Sequence, residues 1–169
     1  MEIRQVLTQM KTTGEAILKL VEGLNDEQEQ CKPDPDSWSI KEVISHLAYE
    51  EIFDFRFYIG QILSSPAAPE LERERQTWKE NHPNQEQALE DLALLFKTER
   101  EKSIAWLSAL ENPDWDRNIS FSWGSLKAGD FLVSWLAHDL LHLRQLIELR
   151  YGITANSFPP YNLDYAGEW

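Results

Sequence analysis

Cysteine is nearly missing from this sequence. With Cys31 alone, no internal disulfide and no thiolate metal cluster can form, and a reducing compartment is implied. The residue lies in "EQCKPDPDSW", a connector rich in proline and aspartate with no histidine beside it, which makes it a poor nucleophile. Basic residues are scarce as well: 16 Lys and Arg stand against 29 Asp and Glu, for a formal net charge of −13. Such a chain repels a phosphate backbone, and no stretch gathers Lys and Arg into a patch, so nucleic acid is not an expected partner. Long apolar runs are absent too. The opening "MEIRQVLTQMKTTGEA" is polar and mixed in charge rather than basic then apolar, so no membrane partner and no secretory route are expected, and the reading is cytoplasmic.

What is present is a sequence of 169 residues, 42% hydrophobic, enough for one well-buried core and a single domain over residues 1–169. Amphipathic segments separated by Pro, Gly and Asp predict an all-α four-helix bundle with long connections. The first helix, Glu2 to Leu24, sets Ile3, Met10, Ile17, Val21 and Leu24 on one stripe, with Gly14 weakening its middle. The second starts sharply at "SWSIKEV", where Ser39 and Glu42 have capping-box spacing and Trp38 can staple onto Val43, and runs to Leu63 before "SSPAAPE". After the polar piece "LERERQTWKENHP", with room for a helical turn, Asn84 can cap a third helix from Gln85 to Leu110, its stripe interrupted by Glu99 and Ser103. "ISFSW" alternates like a strand, yet the segment around it reads mostly as loop. Asp130 is the expected cap of the fourth helix and Gly152 its stop. The aromatic, proline-rich tail is expected to pack across the bundle.

Two of the four histidines fall in the most apolar stretch, "WLAHDLLHLRQL". Alternate steps of three and four trace Phe131, Trp135, His138, His142, Gln145 and Leu149 along the fourth helix, with Leu140 and Ile147 on one flank. His138 and His142 thus share the core-facing seam, about 6 Å apart at the backbone. On the second helix the seam is Val43, His46, Glu50, Phe53 and Phe57. Three inward imidazoles from two helices are the parts of a divalent-metal site, and three ligands leave a position for water or substrate, the mark of catalysis rather than of structural metal. Such a set takes zinc or nickel first, and iron or manganese as well. Glu50 reads as a fourth ligand, as a partner orienting a ligand, as a catalytic base, or as an outward-turned edge residue. Glu99 and Asp54 sit at seam edges, where charges usually reach solvent, and His82 lies in a loop. The aromatic stripe of Phe53, Phe57, Trp106 and Trp135 is core, its metal-proximal part able to wall a pocket for an apolar small molecule.

Two other metal motifs fail. "HDLLH" has Asp139 where zinc proteases of the H-E-x-x-H type place their glutamate base. Paired Glu-x-x-His, needed for a di-iron bundle, does not occur.

"WSIKEVISHLAYEE", "HDLLHLRQL" and the closing "YAGEW" together resemble the DinB/YfiT-like family of small four-helix metalloproteins. The resemblance implies a divalent metal on His46, His138 and His142. It also implies S-transferase or isomerase chemistry on a small molecule with a low-molecular-weight thiol such as bacillithiol or mycothiol as cosubstrate, while a water at the open position of the ion gives the same site a hydrolase reading. The alternative is a non-catalytic metal-binding stress-response module, and a homodimer is the expected assembly.

Overall fold

The computed structural model describes residues 2–64, 86–121 and 124–167. The first stripe folds as expected: α1 (Ile3–Val21) buries Val6, Met10, Gly14, Ile17 and Val21, whose spacing puts them on one face. Leu24 lies beyond its end, and a short α2 (Asp26–Gln30), absent from the sequence reading, follows behind a capping box between Asn25 and Gln28. The cap at Ser39 forms. Its Oγ accepts the Glu42 amide at 3.2 Å, and the Glu42 carboxylate accepts the Ser39 amide at 2.8 Å. Trp38 packs on the cluster that holds Val43, stapling the start of α3 (Ile40–Phe53).

The helix expected to run unbroken to Leu63 stops at Asp54, whose φ of −117° and ψ of −96° leave the helical basin. Then α4 (Phe55–Ser64) restarts. The break resets the stripe: Phe55, Ile59 and Ile62 turn inward, while Phe53 is left 48% exposed. The expected seam therefore ends at Glu50, and Phe55 replaces Phe53 next to the histidines.

The helix α5 (Leu89–Ala109) begins after Ala88, later than Gln85, and carries no side-chain cap. The helical turn expected in "LERERQTWKENHP", the cap at Asn84 and His82 lie outside the described residues. Where mostly loop was expected, the alternation of "ISFSW" is realised as a hairpin, β1 (Asn118–Phe121) and β2 (Gly124–Lys127), antiparallel with Ile119 opposite Leu126. Ile119 is the reason: its side chain is 1% exposed and closes a small cluster with Ile62 and Ala128. The hairpin feeds straight into α6 (Ala128–Ser157). Asp130 is not the cap residue itself but the third helical residue, accepting the Lys127 amide at 2.8 Å. Nor does α6 stop at Gly152, because Ile153 one residue on is buried and rewards continuation. The tail does not cover the bundle: Phe158, Tyr161 and Tyr165 are exposed, held in local turns such as Tyr161 N to Phe158 O.

α3 packs chiefly on α5, α5 on α1, α1 on α6 and α4 on α6, so that α3 and α4 together form one rod of a four-helix bundle. Its core is two apolar clusters, one around Ile17, Ile44, Leu47, Phe96 and Leu146, the other around Met10, Phe55, Ile59, Leu132 and Trp135. Leu140 and Ile147 sit outside both and are exposed. No helix of the described residues is long and apolar enough to cross a membrane.

Candidate metal centre

α3 delivers His46 and α6 delivers His138 and His142, and their imidazoles meet. The Nε2 atom of His138 lies 3.2 Å from that of His46 and 3.2 Å from that of His142. The potential ligand atoms of the three all fall within 4.8 Å of one another. A tetrahedral ion about 2.0–2.1 Å from each imidazole nitrogen separates such nitrogens by roughly 3.3–3.4 Å, so the two spacings to His138 need only small adjustment.

The proton positions agree with ligation. His142 Nδ1 is 2.8 Å from Gln145 Oε1; an amide oxygen accepts, so the proton belongs on Nδ1 and the lone pair on Nε2. The Glu50 carboxylate lies 3.6 Å from His46 Nδ1, which favours the same tautomer there. With protons at both Nδ1 positions, a single Nε2–H on His138 could satisfy only one neighbouring lone pair, whereas one cation satisfies all three. Burial, reinforced by nearby His142, lowers the His138 pKa to about 4. Burial also lowers that of His142, against the opposing pull of Gln145. At neutral pH these rings are therefore uncharged, the form that ligates.

Aromatic side chains hold the rings in place. Trp38 stacks nearly parallel on His142 at 6.0 Å and meets His46 edge-on at 4.9 Å. Phe55 meets His138 at 5.3 Å and stacks on Trp135 at 5.4 Å. A cleft of about 370 Å³, lined by Asp36, Ser37, Trp38, His142 and Gln145, opens beside the cluster.

Residues 9–146 match the family model of the DinB superfamily. The chain belongs to the DinB superfamily. Among solved structures, this DinB chain is similar to YfiT from Bacillus subtilis, described as a probable metal-dependent hydrolase with an unusual four-helix bundle topology. The TM-score is 0.76 at 14% identity, over 90% of this chain and 88% of that one. It is also similar to the DinB-like protein YjoA from Bacillus subtilis, with TM-score 0.63 and 21% identity over 94% of this chain and 98% of that one. These likenesses bear out the helical-bundle fold. No curated protein matches the sequence.

Other candidates from the sequence of this DinB protein fall elsewhere. Glu50 is next to the cluster but on the Nδ1 side of His46, away from the converging Nε2 atoms. Glu99 pairs with Arg56 and Lys102, each at 2.6 Å, and Asp54 marks the break between α3 and α4. Trp135 is core, 1% exposed, and Cys31 is exposed.

Sequence reasoning missed a buried ionic network behind the histidines. Arg100 of α5 donates from Nε to Glu51 at 2.7 Å, from Nη1 and Nη2 to Asp139 at 2.5 and 2.7 Å, and from Nη1 to the Met10 carbonyl at 3.1 Å. Its Nη2 also lies 2.6 Å from Glu51 Oε1. Ser103 Oγ donates to the other oxygen of Glu51 at 2.7 Å, Trp135 Nε1 donates at 3.2 Å to the oxygen that Arg100 also holds, and Thr13 Oγ1 lies 2.9 Å from Asp139. Burial pushes the Glu51 carboxyl above the usual range against the pull of Arg100, and Asp139, sharing the same cation, adds to the rise. Burial opposes the charge on Arg100, but Asp139 and Glu51 outweigh it and hold its pKa above the ordinary value. The available signal was the interruption of the third stripe at Glu99 and Ser103, which flank Arg100. Asp139 of "HDLLH" is thus committed to Arg100.

Proposed function

We propose that this protein is a divalent-metal-dependent hydrolase of a small molecule, with the ion on His46, His138 and His142 and the substrate entering by the cleft beside His142. The observation that carries the reading is the meeting of three imidazoles, drawn from two helices, with the Nε2 atoms of His46 and His142 each 3.2 Å from that of His138 and all three ligand atoms within 4.8 Å. The description of YfiT as a probable metal-dependent hydrolase supports it. A bound ion would supply Lewis acidity, lowering the pKa of water toward neutrality. The side chains do the rest. Gln145 holds His142 in the ligating tautomer by a hydrogen bond, and the charge of Glu50, 3.6 Å from Nδ1, favours the same tautomer of His46. Trp38 and Phe55 fix the ring planes.

Gln145 also lines the cleft, and with its oxygen committed to His142 its NH₂ is the donor left for a substrate. Glu50 acts by positioning His46 rather than as the base. The open cleft argues against a purely structural ion, since a closed site would have a fourth protein ligand and the described residues place only three there.

Thiol transfer would use the same three ligands, and one experiment separates the reactions. Purified protein is analysed for metal, then loaded protein is tested on small esters and amides, and on electrophiles with and without added small thiols. Chelator-sensitive hydrolysis without thiol supports the proposal. Turnover only with thiol would replace it by the transferase reading, and a stoichiometric ion with no turnover of either kind would favour the non-catalytic module.

A further inference from the structure

We infer that Arg100, which touches none of the histidines, is a positioning residue for the three-histidine cluster; the inference rests on the metal-site reading above but not on any activity. The two helices that carry the cluster make few direct contacts. α3 is held chiefly by α5, and α6 by α1 and α4. The interfaces that place His46 against His138 are therefore indirect and mostly apolar, and apolar contacts tolerate small slides and rotations. A metal site does not, since its ligands must be placed within about 0.5 Å.

The guanidinium supplies the missing reference point. A guanidinium has five N–H donors in a rigid plane, and here it makes four hydrogen bonds, one to Glu51 of α3, two to Asp139 of α6 and one to Met10 O of α1, with Nη2 in a further ion-pair contact to Glu51 Oε1 at 2.6 Å. With Arg100 itself on α5, one planar group ties all four rods of the bundle. Arg100 is 4% exposed, Glu51 1% and Asp139 0%, so a shift that broke any of these bonds would leave a charged group unpaired away from water.

The pinned residues sit beside the ligands. Asp139 follows His138 directly. Glu51 is five residues after His46 on the same helix, a rise of roughly 7.5 Å along a rigid rod. Trp135 completes the link, donating to Glu51 while stacking on Phe55, which in turn abuts His138. Fixing Glu51 against Asp139 thus fixes His46 against His138. The same atoms would serve a merely stabilising role, but replacing a buried ionic network by apolar side chains is often neutral or stabilising, so stability and positioning can be separated.

The test is the variant R100M with Glu51→Leu and Asp139→Leu, compared with the native protein by thermal unfolding, cobalt affinity, and ring-to-ring nuclear Overhauser contacts among the histidines of the metal-free protein. A folded variant with unchanged or higher Tm, cobalt affinity at least tenfold weaker and loss of the His46–His138 ring contact is the expected result. A folded variant that keeps both affinity and ring contact overturns the inference. Failure of the native protein to take up cobalt would sink the metal reading separately, and the ring contacts would then decide the positioning role alone. Should the variant not fold, R100K, which keeps the charge but not the five-donor plane, is put to the same measurements. Native affinity and ring contacts in R100K would overturn the inference.

Discussion

Gln145 accepts a hydrogen bond from Nδ1 of His142 at 2.8 Å, one turn along the same helix. This bond places the His142 lone pair on Nε2, facing His138. Removing it with Gln145→Leu should weaken metal binding by about 10- to 100-fold, the usual effect of losing a partner behind a histidine ligand. Titration with cobalt, followed in its visible spectrum, checks this. Undiminished affinity would mean that the tautomer is set by something other than Gln145.

His138→Ala and His142→Ala should each abolish stoichiometric metal binding while leaving helical circular dichroism intact, because the rings contribute little to the two apolar clusters. In the native protein, metal at about 100 times its dissociation constant should add roughly 2.7 kcal/mol of stability by mass action, removed by chelation. Melting temperature with and without chelator reads this directly, and the two variants should show no such difference.

The histidine seam was legible because it is periodic: steps of three and four bring His138 and His142 to one face whatever the tertiary structure. The Ser39–Glu42 cap was legible because both partners lie in one turn. The break at Asp54 was not, since neither Pro nor Gly marks it, and the aromatics of "FDFRF" read equally well as one stripe. Arg100, Glu51 and Asp139 were hidden for another reason. A charge on a helix flank normally reaches solvent, and only the tertiary meeting of α3, α5 and α6 turns these three into a buried ion-paired group.

Gly14 illustrates the same point in reverse. In sequence it is a weak spot in α1; in the fold it is buried, with Arg100 opposite, and a Cβ there would lie 3.4 Å from Arg100 Cγ, an ordinary contact. Gly14→Ala should therefore gain helix propensity without a clash, stabilising the protein by about 0.5–1 kcal/mol. Urea unfolding measures it. A loss of stability would show that Arg100 cannot give even a few tenths of an ångström.

Acid should destabilise the metal-free protein. His138 titrates at about 4 in the fold, chiefly because it is buried, against an ordinary value of 6.5. Between these two values the unfolded chain binds a proton that the folded chain does not, so stability must rise with pH across this window. The contribution from His138 is fully present above 6.5, falls as pH drops from about 6.5 to about 4, and does not change further below. His138→Asn, neutral throughout, should flatten that part of the profile of unfolding free energy against pH. An unflattened profile would assign the acid sensitivity to other groups.

Glu50 decides how the chemistry is divided between ion and protein. Its carboxylate lies 3.6 Å from Nδ1 of His46 and its side chain is 14% exposed, placing it where a charge raises the basicity of a ligand rather than where it would take a proton from a water facing the cleft. Glu50→Gln keeps the shape but removes the negative charge that faces Nδ1 of His46. If Glu50 positions His46, metal affinity should fall by about tenfold, with turnover per bound ion largely retained once metal is in excess. A general base behaves in the opposite way: affinity stays native while turnover falls by on the order of 100-fold or more, and excess metal restores nothing. Measuring affinity and turnover on the same preparation, across metal concentration, separates the two. Native values for both would leave the reaction to the ion and its three histidines, with the substrate-facing amide of Gln145 as the next residue to vary.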